Sequence, residues 1–187
     1  MRPQRHWLTT AAAWAVACVV AGSAGPLRVT AAASAITADE LKSAGWNASE
    51  LRTPDGKIVA CYITRHYTPP PEGRNVMTAL MAGRGTGLSL LLADSSLKLA
   101  DGAPLEATFT IGGKPFTGFS ARVRDKDEIG IYPDRGTALL AAIEHDGLLD
   151  FRSSAVALVF PFDAGAVSWL RACARRNGIA IEPDAQQ

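Results

Sequence analysis

Short apolar segments alternate with turn-forming residues along the chain from Trp46 onward. The stretch KIVACYITRHY, residues 57–67, is rich in β-branched and aromatic residues, which is typical of a strand. Strand side chains alternate between faces, so Cys61 shares one face with Val59 and Ile63. Segments of the same kind follow, bounded by glycine, proline or aspartate, and together they predict about eight strands.

The stretch GRGTGLSLLLAD, residues 83–94, superficially resembles a phosphate-binding loop. A dinucleotide-binding loop has the spacing G-x-G-x-x-G between a strand and a helix, whereas these glycines are spaced G-x-G-x-G. A P-loop also needs Gly-Lys-Ser/Thr, and the chain contains no such triplet. The apolar segments VMTALMAG and LSLLLAD flank the glycines with similar lengths, so the sequence predicts a β-hairpin here and no nucleotide site.

Two late segments have helical rather than strand-like spacing. Apolar residues recur at helical intervals in PDRGTALLAAIEHDG, where Asp134 or Thr137 can cap the helix and Gly147 can end it. The stretch DAGAVSWLRACARRNG predicts a second helix, with Asp163 as its N-cap and Gly178 just past its end.

These elements predict a mainly β fold: an antiparallel β-sandwich or rolled sheet of about eight strands, with a short helix and a C-terminal helix. The preference for antiparallel pairing follows from the many hairpin-type links. We expect a signal peptide over residues 1–35, a lead-in over 36–45, a single β-rich domain over 46–178 and a flexible tail over 179–187.

The N-terminus predicts export. Arg2 and Arg5 precede an uncharged stretch of small and apolar residues, and Ala33-Ser34-Ala35 provides a small-x-small cleavage site. We therefore expect a periplasmic or secreted protein that begins at Ile36. Three alternatives remain open: cleavage after an earlier GSAG, lipid attachment at Cys18, and a retained membrane anchor over residues 7–24.

The formal net charge of the mature chain limits which partners it is expected to bind. Three of the 19 basic residues precede residue 36, whereas all 18 acidic residues follow it, so the formal charge of the mature chain is −2. A near-neutral chain without a basic block is not expected to bind nucleic acid. It also lacks a polybasic segment for anionic lipid, so membrane association is expected only if the signal segment is retained.

The cysteines predict one disulfide. Cys18 leaves with the signal peptide, which leaves Cys61 and Cys173 in the mature chain, and an exported chain favours their oxidation. Cys61 lies in the middle of a predicted strand and Cys173 lies on the apolar face of the C-terminal helix. A helix packed across that strand could bring the two thiols together. The alternative is a pair of buried free thiols.

The order of segments from Trp46 to Cys173 resembles the invasion-associated locus B family of small exported bacterial proteins, as a distant relative. The resemblance is carried by Trp46, the strand segment CYI, the hairpin VMTALMAGRGTGLSLLL, the stretch LADGAPLEATFTIGG, the helix ALLAAI before GLLDF, and the terminal FPFDAGAVSWLRAC. It implies a periplasmic or envelope-associated, non-catalytic protein with unidentified partners, and it carries over no active-site residue.

The mature chain contains few residues that could form a catalytic or metal-binding site. His66 and His145 are its two histidines, and each could act as a general base, but a strand-end position for His66 and a helix C-terminus for His145 are the preferred explanations. No G-x-S-x-G motif nominates a nucleophile, and neither His-x-His nor H-E-x-x-H occurs, so we expect no metal and no cofactor. The segment RHYTPPPEGR, with Arg65, His66 and Tyr67, is the candidate partner surface because it combines cationic, aromatic and extended elements.

The sequence thus favours an exported, non-catalytic binding or envelope-maintenance domain whose partner is an unidentified envelope protein or ligand. A small periplasmic hydrolase using His66 or His145 is the alternative from another class, and a membrane-anchored domain is the third hypothesis. The oligomeric state does not follow from the sequence.

Overall fold

Ten β-strands and three helices form the described part of the chain, which comprises residues 37–67, 76–154 and 156–182 of the computed structural model. The predicted signal peptide lies outside the described residues. The strands are β1 (Asn47–Arg52), β2 (Ile58–Tyr67), β3 (Val76–Gly83), β4 (Gly87–Asp94), β5 (Ala107–Ile111), β6 (Lys114–Pro115), β7 (Phe119–Asp125), β8 (Glu128–Pro133), β9 (Leu148–Ser153) and β10 (Ala157–Pro161). The helices are α1 (Ala38–Ser43), α2 (Gly136–Asp146) and α3 (Ala164–Arg176).

The strands form two antiparallel sheets, which confirms the prediction of a mainly β, antiparallel fold. The larger sheet has the order β1-β2-β3-β4-β8-β7, and the smaller sheet has the order β10-β9-β5-β6. The count is ten described strands rather than about eight, partly because β6 is only two residues long and has no periodic pattern of its own.

The glycines of RGTG form the turn between β3 and β4, as predicted. The two strands pair in register from Val76 opposite Asp94 to Gly83 opposite Gly87. Gly85 and Gly87 have positive φ, which glycine adopts without the steric cost that a Cβ brings. Arg84, also in the turn, donates a 2.8 Å hydrogen bond to the carbonyl of Asn177 just past α3, so the hairpin tip also closes the end of that helix.

The core lies between the inward faces of the two sheets. Buried and exposed residues alternate along β10 and nearly so along β5, as expected for strands covered on one side. The smaller sheet contributes Phe109, Ile111, Leu149, Phe151, Leu158 and Phe160 to this core. The larger sheet contributes Ile63, Leu80, Leu90, Leu92, Ile129 and Ile131.

The C-terminal helix α3 packs on β1, β2 and β3, and a disulfide joins it to β2. Asp163 accepts hydrogen bonds from the N–H groups of Gly165 and Ala166, so it is the predicted N-cap. Cys61 and Cys173 are fully buried and their Cα atoms lie 6.1 Å apart. The predicted disulfide is therefore confirmed, and it fixes the apolar face of α3 against the sheet.

The N-terminus of α2 is capped by Glu182, which lies 45 residues after Thr137 in the chain. The predicted caps Asp134 and Thr137 are therefore wrong. Arg135 occupies the N-cap position without a side-chain hydrogen bond. The Glu182 carboxylate instead accepts from the N–H groups of Gly136 (2.8 Å) and Thr137 (3.0 Å) and from the Thr137 hydroxyl. The C-terminal end is as predicted, because Gly147 has left-handed φ and donates to the Ile143 carbonyl.

Gly136 makes this long-range contact possible. A Cβ at this position would lie 2.4 Å from the Ile181 carbonyl oxygen, so only glycine lets the C-terminal segment approach the first turn of α2. The same carbonyl accepts a 2.9 Å hydrogen bond from the N–H of Leu88. Residues 181 and 182 therefore connect the end of the chain to both β4 and α2.

The ordered part of the domain extends beyond the predicted 46–178. Helix α1 lies in the predicted lead-in and begins with a capping box, in which Thr37 and Glu40 hydrogen-bond reciprocally. Ile179, in the predicted flexible tail, is only 5% exposed. None of the helices in the described part of the chain combines the length and the hydropathy that a bilayer crossing requires.

We expect loss of the disulfide to lower the free energy of unfolding by about 4 kcal/mol, because the bond spans 112 residues and restricts the unfolded chain. The Cys61→Ala, Cys173→Ala double variant and the reduced native protein should unfold at similarly lowered urea concentrations. The double variant is its own control, because reductant should not change its urea unfolding transition. Identical urea transitions for oxidised and reduced native protein would contradict the stabilising role of the disulfide.

Substitution of Glu182 by Gln should lower the free energy of unfolding by about 1 kcal/mol at neutral pH, the usual magnitude for a lost helix cap. Burial raises the pKa of Glu182, but hydrogen bonds from Thr137 and Gly136, together with the Arg135 charge, outweigh burial and hold it below its ordinary value. The stabilisation is thus present above the unfolded-state pKa of about 4.3 and disappears as the pH falls through the lower folded-state pKa.

Urea unfolding of Glu182→Gln and the native protein between pH 7 and pH 3 measures this difference. The control is Glu128→Gln, since Glu128 forms only a 3.6 Å surface ion pair with Arg124. A difference between Glu182→Gln and the native protein that stays constant as the pH falls would contradict the capping role of the carboxylate.

Candidate functional site

A long hairpin links the two sheets, and its two legs are paired at both ends but not in the middle. Near its base, Pro104 lies opposite Arg122, and the N–H of Leu105 donates 2.9 Å to the carbonyl of Ala121. Near its tip, Thr110 lies opposite Pro115. The outgoing leg pairs with β7 of the larger sheet first and then continues as β5 of the smaller sheet. The hairpin therefore opens where the two sheets diverge.

The two legs differ in length by one residue. Six steps separate Pro104 from Thr110, whereas seven steps separate their partners Pro115 and Arg122. The extra residue lies in the returning leg, where Gly118 has a φ of 76°. A one-residue bulge with a left-handed glycine bends a strand and interrupts its pairing. The opening in the hairpin thus results from its backbone conformation.

This opening is a groove of about 860 Å³. Residues 104–110 line one wall and residues 115–121 line the other. Apart from Thr110, the less exposed lining residues are apolar, and these apolar residues form the floor: Leu105, Ala107, Phe109, Phe116, Phe119 and Ala121. The exposed ones form the rim: Pro104, Glu106, Thr108, Pro115, Thr117, Gly118 and Ser120.

Three phenylalanines fix the floor of the groove. The ring of Phe109 lies 5.8 Å from that of Phe116 and 5.6 Å from that of Phe119, both in edge-to-face geometry. Phe109 is 2% exposed and also contacts Phe151, at 6.5 Å, in the core. The floor is therefore continuous with the hydrophobic core and is held by it.

The groove carries little charge. Glu106 is the one charged residue among those that line it. Lys114, next to the lining residue Pro115, lies 3.5 Å from the Asp146 carboxylate. The geometry suits a largely uncharged, apolar ligand whose polar groups contact the hydroxyl-bearing rim.

Of the predicted partner surface RHYTPPPEGR, only Arg65, His66 and Tyr67 lie within the described residues, and they are divided between the two faces of β2. The Arg65 guanidinium lies 5.7 Å from the Trp46 ring and 5.1 Å from the Tyr67 ring. The Tyr67 hydroxyl donates 2.8 Å to the Pro161 carbonyl, and burial raises its pKa. His66 lies between them in the strand, points to the opposite face and is exposed. Arg65 and Tyr67 thus join β2 to the core and to β10, and partner binding by the three residues stays a prediction.

The two candidate histidines lie outside the groove. His145, in the last turn of α2, has its Nδ1 2.9 Å from the Asp146 carboxylate, and its side chain is 77% exposed. This hydrogen bond, with the nearby Lys114 ammonium, lowers the pKa of Asp146. The His145 Nδ1 therefore faces a carboxylate rather than a hydroxyl or thiol that could serve as a nucleophile. Within residues 37–67, 76–154 and 156–182, no group of three His, Cys, Asp or Glu residues is placed to hold a metal ion.

The groove was not predicted from the sequence, although one signal was available. Phe116 and Phe119 are three residues apart, so a regular strand would place them on opposite faces. Both nevertheless contact Phe109, which requires the extra residue that the bulge at Gly118 provides. Phenylalanines at odd spacing around Thr-Gly indicate such a bulge.

No protein-family model, curated protein or solved structure matches the chain.

Proposed function

We propose that the chain is an exported, disulfide-bonded binding domain of the cell envelope that holds an apolar ligand in the groove of residues 104–121. In this proposal the chain is cleaved after Ala35 and acts in the periplasm or outside the cell without catalysing a reaction. The signal-peptide pattern, the Cys61–Cys173 disulfide and the distant resemblance to the invasion-associated locus B family support the location.

The observation that carries the binding function is the groove itself. Its volume of about 860 Å³ lies within the range of small-ligand sites, and its apolar floor with a few polar rim groups has their usual composition. The floor also needs no rearrangement to receive a ligand, because the core already holds Phe109 between Phe116 and Phe119. A preformed site costs little ordering energy on binding.

The expected affinity is modest. A ligand that removes roughly 200 Å² of apolar surface from water gains about 5 kcal/mol, at about 25 cal/mol per Å². Association costs reduce this gain, so a purely apolar ligand should bind with a Kd on the order of 0.1 mM or weaker. Tighter binding requires polar contacts with the rim or the walls.

The hydrolase alternative has less support. It requires a nucleophile or an activated water beside His66 or His145, and His145 instead points its Nδ1 at a surface carboxylate. The retained anchor over residues 7–24 concerns residues outside the described part of the chain, and it stays an alternative location for the same binding domain.

Intact mass spectrometry of the protein from its native envelope fraction tests the location. We expect a mass that begins at Ile36, with both cysteines protected from alkylation until the protein is reduced. The full-length mass, a lipid-modified mass at Cys18 or two freely alkylated thiols would contradict the exported, disulfide-bonded form.

Binding of the apolar fluorophore N-phenyl-1-naphthylamine tests the groove. Its fluorescence should rise in a saturable way on addition of the protein. Phe119→Ala, which removes one ring of the floor, should weaken this binding about tenfold, which corresponds to 1.4 kcal/mol. The matched control is Tyr132→Ala, which shortens a half-buried aromatic residue of the neighbouring strand β8 that does not line the groove.

Urea unfolding of both variants ensures that the comparison is made between folded proteins. Absence of saturable binding to the native protein, or equal weakening by Tyr132→Ala and Phe119→Ala, would contradict a ligand site in this groove.

A further inference from the structure

We propose that the natural ligand of the groove is a small amphiphile with a single ammonium group, which lies beside Glu106 while its apolar body covers the phenylalanine floor. This inference rests on the proposed function and specifies the chemistry of the ligand. The charge distribution around the groove and the short length of its opening support it.

The opening between the two legs of the hairpin is short and closed at both ends. On one side the N–H of Leu105 donates 2.9 Å to the carbonyl of Ala121, and on the other the N–H of Phe116 donates 2.8 Å to the carbonyl of Phe109. An extended polymer lying between the legs would have to break these hydrogen bonds. The opening therefore favours a small ligand that lies on the floor and places one polar group at the rim.

Glu106 places a negative charge at this rim. It is exposed, and it is the one charged residue among those that line the groove. Among the described residues, no hydrogen bond or ion pair involves its carboxylate. Its neighbours in the chain, Leu105 and Ala107, belong to the floor, so Glu106 lies at the border between apolar surface and water. A cationic head group at this border would gain a partner and remain hydrated.

Two cations near the rim already have carboxylate partners. Lys114, which precedes a lining residue, lies 3.5 Å from the Asp146 carboxylate. Arg152, which lies opposite Thr108 in the smaller sheet, lies 2.8 Å from the Asp150 carboxylate. Each pair has no net charge, so neither neutralises Glu106.

A third cation, Arg122, lies near the base of the hairpin and is directed elsewhere. Its guanidinium lies 5.1 Å from the ring of Tyr132 on β8, the neighbouring strand of the larger sheet. A carboxylate, sulfate or phosphate head group would thus find no cation among the lining residues and would be repelled by Glu106. The charges around the groove therefore select against an anionic amphiphile.

The rim also contains acceptors for the N–H groups of an ammonium. An ammonium group with three hydrogens has three donors and no acceptor. The hydroxyls of Thr108, Thr117 and Ser120 line the groove together with Glu106, and hydroxyl and carboxylate oxygens both accept hydrogen bonds. The rim is thus chemically complementary to an ammonium head group, as the floor is to an apolar body.

Displacement of N-phenyl-1-naphthylamine from the full mature protein tests the charge preference. Decylammonium, decanol and decanoate have the same ten-carbon body and differ in the charge of the head group. At low ionic strength, each below its micelle-forming concentration, we expect decylammonium to displace the fluorophore at about three- to fivefold lower concentration than decanol, the effect of one exposed ion pair. Decanoate should require a higher concentration than decanol.

Equal potency of decylammonium and decanol, or greater potency of decanoate, would overturn the proposal. Because the charge of Glu106 is exposed, the preference for decylammonium should also shrink as sodium chloride is raised to about 1 M. A preference that is independent of salt would contradict its electrostatic origin.

Two glutamine variants test whether the preference comes from Glu106. Glu106→Gln should abolish the preference for decylammonium over decanol. Glu128→Gln is the matched control and should retain the preference, since Glu128 lies outside the groove and pairs with Arg124 at 3.6 Å. A preference that survives Glu106→Gln, or that Glu128→Gln abolishes equally, would overturn the assignment to Glu106.

The same measurements separate the two proposals. Saturable fluorophore binding that decylammonium, decanol and decanoate displace equally well would overturn the ammonium ligand and leave the apolar site in place. Absence of saturable fluorophore binding would overturn the proposed function, and the ammonium ligand with it.

Discussion

The bond between Cys61 and Cys173 determines how the rest of the domain is arranged, because it fixes the C-terminal helix on the inner face of the larger sheet. With α3 held there, the chain that follows it is directed back across the domain. The carbonyl of Ile181 then reaches β4, and the Glu182 carboxylate reaches the first turn of α2. One covalent contact thus positions two polar contacts that the local sequence of α2 does not supply.

The groove depends on a different constraint, which is the divergence of the two sheets. A single hairpin pairs with the larger sheet at its base and with the smaller sheet toward its tip, and the strands cannot remain paired across that change of direction. The extra residue near Gly118 absorbs the change, and its consequence is that the described residues 106–108 and 117–120 form no backbone hydrogen bonds with each other beside an apolar floor. The opening is therefore a result of topology, and its chemistry follows from Phe109, Phe116 and Phe119.

Features that depend on local sequence were predictable. The antiparallel class, the hairpin at RGTG, the cap Asp163 and the end of α2 at Gly147 each follow from a few neighbouring residues. The disulfide followed from the two cysteines that remain in a chain expected to be exported, and strand alternation and helical spacing placed them where a packed helix could join them. The cap from Glu182 could not be predicted, because it joins positions 45 residues apart. The groove needed a register shift that regular strand alternation does not show, and its one signal in the sequence is the odd spacing of Phe116 and Phe119. The capping box of α1, formed by Thr37 and Glu40, lies in the stretch predicted only as a lead-in.

Stability and binding are linked through the length of the disulfide loop. An open stretch in a hairpin forgoes backbone hydrogen bonds and leaves strand edges that favour local unfolding. The loop closed by Cys61 and Cys173 spans 112 residues and contains the whole of residues 104–121. Closing it lowers the entropy of the globally unfolded chain without contacting the groove. The disulfide can therefore offset the cost of keeping the hairpin open, and the site need not be filled by the chain's own strands for the domain to remain folded.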